Sequence, residues 1–264
     1  MKKASAFFYL LTFLMAVFCV ACDFKLKSNE EVEASQLLKV QRYDRLQSRY
    51  LTTGDFSALQ QMNTDYPIET RTLLEDMLQL GEVNDAQINA RFLNFYQDSL
   101  LQAIIADAEY QYADMSDIDK QLDFAFTRLH KFIPSMPLPV VYAQVGALGQ
   151  SIIVGDSLLG ISLDKYLGAD YPAYAKFYDE KQRSSMTRKS IVPDCLVFWL
   201  LSHYPMNNFE TASQEGRDVH MGRIMWAANK AMNTLFFKTK YTVMAERHMI
   251  KHPGTSMESF LQGE

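Results

Sequence analysis

The sequence lacks an excess of positive charge, an internal repeat and a low-complexity segment. Lys and Arg number 26 against 31 Asp and Glu, which gives a formal net charge of −5. The first 21 residues contain two lysines and no acid, so the chain from Cys22 onward carries 24 basic and 31 acidic residues, a net charge of about −7. An acidic surface repels a phosphate backbone. Nucleic acid is therefore not an expected partner.

A complete catalytic motif is also missing from the sequence. Gly155–Leu158 reads Gly-Asp-Ser-Leu after an apolar run, like the nucleophile block of GDSL-type hydrolases. The histidine and asparagine blocks that this chemistry requires do not follow, so we predict a hairpin turn there. Ser162 and Lys165 have the Ser-x-x-Lys spacing of penicillin-binding enzymes, without the companion motifs.

Metal-ligand spacing occurs once among the five histidines. His248 and His252 stand four residues apart on a predicted helix, which is the spacing of two zinc ligands. Met249 occupies the position where a metallopeptidase carries its glutamate, and Pro253 ends the helix. We therefore predict two solvated histidines, and we expect no metal and no other cofactor.

Cysteine is scarce, with Cys19 and Cys22 near the N-terminus and Cys195 far from them. Two lysines, the apolar run Ala4–Val20, a small residue and then Cys22 follow the order of a bacterial lipoprotein signal. We predict residues 1–21 as the signal peptide, Cys22 as the lipid attachment site and residues 22–29 as a tether. The alternative is an anchor helix with Cys22 unmodified, although about 17 apolar residues are few for a bilayer of about 30 Å.

If Cys22 is acylated, Cys195 is the only free cysteine of the mature chain, and no disulfide can form within it. Cys195 lies in the run Cys-Leu-Val-Phe-Trp-Leu-Leu, which has no polar face. Such a run is typical of a central buried helix. We therefore predict that the Cys195 thiol is buried and that Trp199 belongs to the core.

The segment Pro137–Tyr178 predicts the only sheet of the protein. It holds three short apolar runs bounded by Gly and Asp, which favour a meander of antiparallel strands. The surrounding sequence has helical periodicity, with helices expected from Ser28 to about Tyr50, from Gln87 to Tyr112 and from Pro172 to about Arg188. The predicted fold class is α+β, predominantly helical with a small antiparallel three-stranded sheet, in a single domain of residues 30–264.

A dense group of tyrosines and acids follows the last predicted strand. Asp164, Tyr166, Asp170 and Tyr171 lie within eight residues. Tyrosine is favoured at interfaces because it supplies contact area and a hydrogen bond at low entropic cost. The four residues are candidates for an interaction surface. The alternative is that the rings pack the sheet onto the next helix and the acids cap turns, with Gly168 in a positive-φ conformation.

Three stretches carry a resemblance to a known family: LPVVY, GDSLLGISLDKYLGADYPAY and IVPDCLVFWLLSHYP. They resemble the GldB-like gliding-motility lipoproteins of the Bacteroidota, and the likeness runs from about Arg42 to the C-terminus. The order of helices, sheet edge and buried helix is also reminiscent of a metallopeptidase-like scaffold without its metal site.

The resemblance implies a lipid-anchored, non-catalytic protein of the cell envelope that acts through envelope or motility-machinery proteins. It implies a location facing the periplasm, with the outer membrane expected in preference to the inner membrane. The alternative function is a divergent, peptidase-like envelope hydrolase with an unrecognised active site.

Overall fold

Three short strands lie in the middle of the chain, whose described residues in this computed structural model are 38–263. The strands are Val140–Gln144 (β1), Ile152–Val154 (β2) and Leu158–Ser162 (β3), arranged in the order β1-β3-β2. The predicted turn at residues 155–157 joins β2 and β3 as an antiparallel hairpin. The α+β class and the predominance of helix are confirmed.

The prediction of an entirely antiparallel sheet is wrong, because β1 pairs with β3 in parallel. In this register Tyr142 lies opposite Gly160. A Cβ atom at position 160 would lie 2.5 Å from Cζ of the Tyr142 ring, so the ring fits only because β3 carries glycine there. The loop 145–151 therefore passes β3 and places β2 on its far side. The other edge of β1 pairs with Gln41, which forms a parallel bridge to Tyr142.

Helices surround this mixed sheet, and within residues 38–263 they have the following bounds. They are α1 Tyr43–Thr53, α2 Phe56–Asp65, α3 Pro67–Arg71, α4 Ile88–Phe95, α5 Ser99–Gln111, α6 Ser116–Phe132, α7 Glu180–Arg183, α8 Ile191–His203, α9 Gln214–Met232, α10 Lys240–Lys251 and α11 Met257–Gln262. A π-helical stretch, Thr72–Met77, continues α3. Within the described range, no helix is both long and apolar enough to cross a bilayer.

Three predicted helices have different bounds in the structure. The first is not helical at residues 38–42, where the backbone N–H of Leu38 and that of Val40 each bind an aspartate of α6. The predicted helix from Gln87 to Tyr112 is two helices, because Asp98 leaves the helical conformation and its carboxylate caps α5. The predicted helix from Pro172 is mostly short 3₁₀ turns and the four-residue α7.

The buried helix predicted around Cys195 is α8. Its Cys195 and Trp199 are fully buried, and burial raises the pKa of the Cys195 thiol. Trp199 packs edge-on against Phe126 of α6, and its indole N–H donates to the carbonyl of Pro137, just before β1. This helix therefore joins the sheet to the helices packed behind it, as its uniformly apolar sequence predicted.

The predicted signal peptide, the tether and Cys22 lie outside the described residues. The described residues all belong to one compact unit, Leu37–Glu264.

Candidate functional site

The carboxylate of Asp164 holds the loop between β1 and β2 from inside the protein. It is fully buried, and it accepts hydrogen bonds from the backbone N–H groups of Gly146 and Leu148. Ala147 and Leu148 both have positive φ, which side-chain-bearing residues adopt at a cost in free energy. The two hydrogen bonds to Asp164 stabilise this strained turn. Burial raises the pKa of Asp164, and the two backbone donors oppose that shift.

Two further side chains bind the same loop. The hydroxyl of Tyr178 donates to the carbonyl oxygen of Leu148, and Nζ of Lys165 lies 2.7 Å from that hydroxyl. The Lys165 ammonium also lies 4.1 Å from the centroid of the Tyr178 ring, within the range of a cation–π contact. Residues of the segment that follows β3 therefore fix the loop through hydrogen bonds.

Tyr166 is buried and binds an acid of the central helix. Its hydroxyl donates to Oδ2 of Asp194, in the first turn of α8, at 2.8 Å. Burial raises the pKa of Asp194 to about 6, and the hydrogen bond from Tyr166 opposes the shift. Both residues line a polar pocket of about 230 Å³ together with Lys165, Tyr178 and Ser151. A carboxyl with a raised pKa in a pocket is a candidate acid–base group.

The other two predicted site residues lie apart from this pocket. Asp170 is exposed, and Tyr171 is half-buried with its hydroxyl donating to Asp107 of α5 at 2.7 Å. Gly168 has the predicted positive φ, at 119°. The four residues therefore do not form one surface. Asp164 and Tyr166 belong to the interior, and only Asp170 and Tyr171 reach solvent.

The two histidines at zinc spacing stack on each other. The ring centroids of His248 and His252 are 4.3 Å apart, and His248 also stacks on Phe260 of α11. Over residues 38–263, no group of three or more potential metal ligands comes together.

A groove lies between α9 and α10. We call it the α9–α10 groove; its volume is about 820 Å³, within the range of ligand-binding clefts. Trp226 and Asn229 of α9 line one side, the loop 233–239 closes one end, and Val243 of α10 lines the other side. Two apolar residues of the loop are exposed, with Leu235 at 72% and Phe236 at 40%.

Asn229 fixes the loop of this groove. It is buried, its Oδ1 accepts from the backbone N–H groups of Phe236 and Phe237, and its Nδ2 donates to the carbonyl of Phe237. Because the side chain satisfies three backbone groups, the loop is preorganised. Asn233 ends α9 in the left-handed conformation, which turns the chain into the loop.

Positive charge is concentrated around the groove. Lys230, Lys238, Lys240 and Arg247 line it, together with a single acid, Glu246. None of these residues was predicted as a site residue from the sequence. Their signal is nevertheless present there, because Leu-Phe-Phe-Lys-Thr-Lys combines apolar and basic residues directly after a helix. Only the packing of α9 on α10 shows that these residues face a cleft.

The fold and these sites define an α+β protein, mainly helical, with a mixed three-stranded sheet. The chain belongs to the family of the gliding motility protein GldB, whose profile matches residues 25–247, most of its length. The family places it among lipoproteins associated with gliding motility. Comparison with curated proteins found no match, and comparison with solved structures found none either.

Proposed function

We propose that this protein is a lipid-anchored, non-catalytic component of the cell envelope that serves gliding by binding another protein. The observation that carries the proposal is the α9–α10 groove, a preorganised cleft lined by the exposed apolar residues Leu235 and Val243. Contiguous exposed apolar surface rimmed by polar residues is typical of an interaction site. The family supplies the process in which the interaction takes place.

The anchor of the proposed protein is diacylglycerol on Cys22, with the folded unit facing the periplasm from the outer membrane. The sequence before Cys22 supports this part of the proposal, since it has the order of a lipoprotein signal. Cys22→Ala is expected to abolish labelling by a fatty-acid analogue in growing cells. Equal labelling of the wild-type and Cys22→Ala proteins would refute the anchor.

Photo-crosslinking in the native envelope tests the interaction. A photoreactive amino acid at position 235 places the probe at the groove, and the same amino acid at the exposed position of Phe177 is the matched control. We expect a discrete crosslinked protein from position 235 and none of that mass from position 177. No protein crosslink from position 235 would contradict the proposed function.

A second candidate function, an envelope hydrolase, is favoured by the pocket that contains Tyr166 and Asp194. A carboxyl with a pKa near 6 can exchange a proton close to neutral pH. Asp194→Asn separates the two functions. Under the interaction proposal, the variant keeps the crosslink from position 235 and restores gliding to a deletion strain. Loss of gliding in a folded Asp194→Asn protein that keeps the crosslink would favour the hydrolase.

A further inference from the structure

We infer that the α9–α10 groove binds an acidic amphipathic helix of the partner protein. This inference rests on the proposed function and names the chemistry of its partner. It is carried by three features of the groove, which are its uncompensated positive charge, its concave shape and the spacing of residues along α10.

The charge of the groove is opposite to that of the whole protein. Its lining contains four basic residues and one acid, a difference of +3, whereas the complete chain has a net charge of −5. The acid, Glu246, is already neutralised: Nζ of Lys230 lies 2.9 Å from it, and the indole N–H of Trp226 donates to it. The Lys230 ammonium lowers the pKa of Glu246 and so keeps the carboxylate ionised.

Two basic side chains around the groove remain uncompensated. Lys238 and Arg247 are exposed, and neither forms an ion pair with another residue of the described range. Lys240 is exposed as well, and the Tyr241 side chain and the nearby acids Glu215 and Asp218 raise its pKa. Unpaired charges at the rim of a cleft attract a partner of opposite sign and orient it. A partner segment with several carboxylates therefore fits the rim.

The groove is concave, and its lining is apolar between these charges. Trp226 is buried, whereas Leu235 and Val243, which also line the groove, are exposed. A flat bilayer would touch the exposed side chains without filling the cleft, whereas the apolar side chains of a helix can enter it. Helix-in-groove recognition uses apolar side chains at positions i, i+3, i+4 and i+7 of the bound helix.

The spacing along α10 matches a helical partner. Lys240, Val243 and Arg247 follow at i, i+3 and i+7, so they form one stripe of the helix, roughly 10 Å long. This stripe places an apolar residue between two cations. A bound helix lying along it would set leucine-type side chains against Val243 and carboxylates against Lys240 and Arg247.

A synthetic peptide tests the inference with the full-length lipoprotein in detergent. The probe is a fluorescein-labelled peptide of about 18 residues, roughly five helical turns, with leucines on one face and glutamates elsewhere. One control peptide has the same composition with the leucines spread around the helix. The other has lysine in place of every glutamate. We expect the first peptide to bind roughly tenfold more tightly than either control, by fluorescence anisotropy.

Variants of the protein locate the binding. Lys238→Glu/Lys240→Glu is expected to weaken the binding of the first peptide roughly tenfold. Leu235→Gln is expected to weaken this binding without changing the charge of the protein. The matched control is Lys176→Glu/Lys181→Glu, which makes the same charge change at exposed positions outside the groove. Each of these side chains is exposed, so the variants are expected to keep the wild-type melting temperature.

Four results would overturn the inference. Equal binding of the ordered and scrambled peptides would mean attraction by charge alone. Equal weakening by the control variant would place the binding elsewhere. A shift of Trp226 fluorescence when the lipoprotein is placed in phosphatidylglycerol vesicles, but not in phosphatidylcholine vesicles, would assign the groove to a membrane surface. If the first peptide does not bind while the crosslink from position 235 persists, the acidic helix is refuted and the proposed function stands.

Discussion

Asp194→Asn is expected to change how the stability of the protein depends on pH. Burial raises the pKa of Asp194 in the folded protein to about 6, from 3.8 for an unperturbed aspartate. The folded state therefore holds this proton more tightly than the unfolded state. The resulting stabilisation is fully present below pH 3.8 and is lost as the pH rises through about 6.

The magnitude follows from the shift in pKa. The difference between about 6 and 3.8 corresponds to about 3 kcal/mol, at roughly 1.36 kcal/mol for each unit. Asparagine has the same shape and keeps an oxygen that can accept from Tyr166, but it does not titrate. Because part of this difference is already lost at pH 4, we expect the free energy of unfolding of Asp194→Asn, relative to the wild type, to rise by about 2.4 kcal/mol between pH 4 and pH 7.

Urea unfolding of the full-length protein at a series of pH values measures this difference. Subtracting the wild-type curve from the variant curve removes the titration of all other groups that the substitution leaves unchanged. Asp170→Asn, at an exposed position of the same region, is the matched control for the loss of one charge. A difference that stays flat from pH 4 to pH 7 would refute the reasoning, and so would an equal rise in the control.

Three further substitutions test the packing. Trp199→Ala removes a fully buried ring and is expected to lower the free energy of unfolding by about 3–5 kcal/mol, so an unchanged melting temperature would contradict its place in the core. Asp164→Ala leaves two backbone N–H groups without an acceptor and is expected to cost about 2–4 kcal/mol by urea unfolding; wild-type stability would show that the loop does not depend on it. Gly222→Ala would place a Cβ 2.4 Å from Cβ of Tyr241, so it is expected to destabilise the packing of α9 on α10 by about 1–3 kcal/mol. Gly216→Ala in the same helix, where the nearest atom is 3.4 Å from the new Cβ, is its control and should be neutral or stabilising by thermal unfolding.

The sequence by itself determined the features that depend on residues adjacent along the chain. The run around Trp199 has no polar face, which predicted a buried helix; Cys195, Leu196, Trp199 and Leu200 are buried, whereas Phe198 is 41% exposed. Gly155, Asp156 and Ser157 between two apolar runs predicted the hairpin of β2 and β3. The family resemblance is carried by short consecutive stretches, so it too depends on the sequence alone, and it is confirmed.

Only the tertiary structure decided which distant residues meet. Apolar runs of similar length do not encode which strands are neighbours, and only the packed sheet places β1 beside β3, with the Tyr142 ring in the space above Gly160. The same limit applies to the candidate sites. Asp164 reads as a surface acid until the fold brings the loop 146–148 onto its carboxylate, and the basic residues around Lys238 define a groove only once α9 and α10 pack together. Charge and hydrophobicity are properties of single residues, whereas burial and concavity are properties of the packed chain.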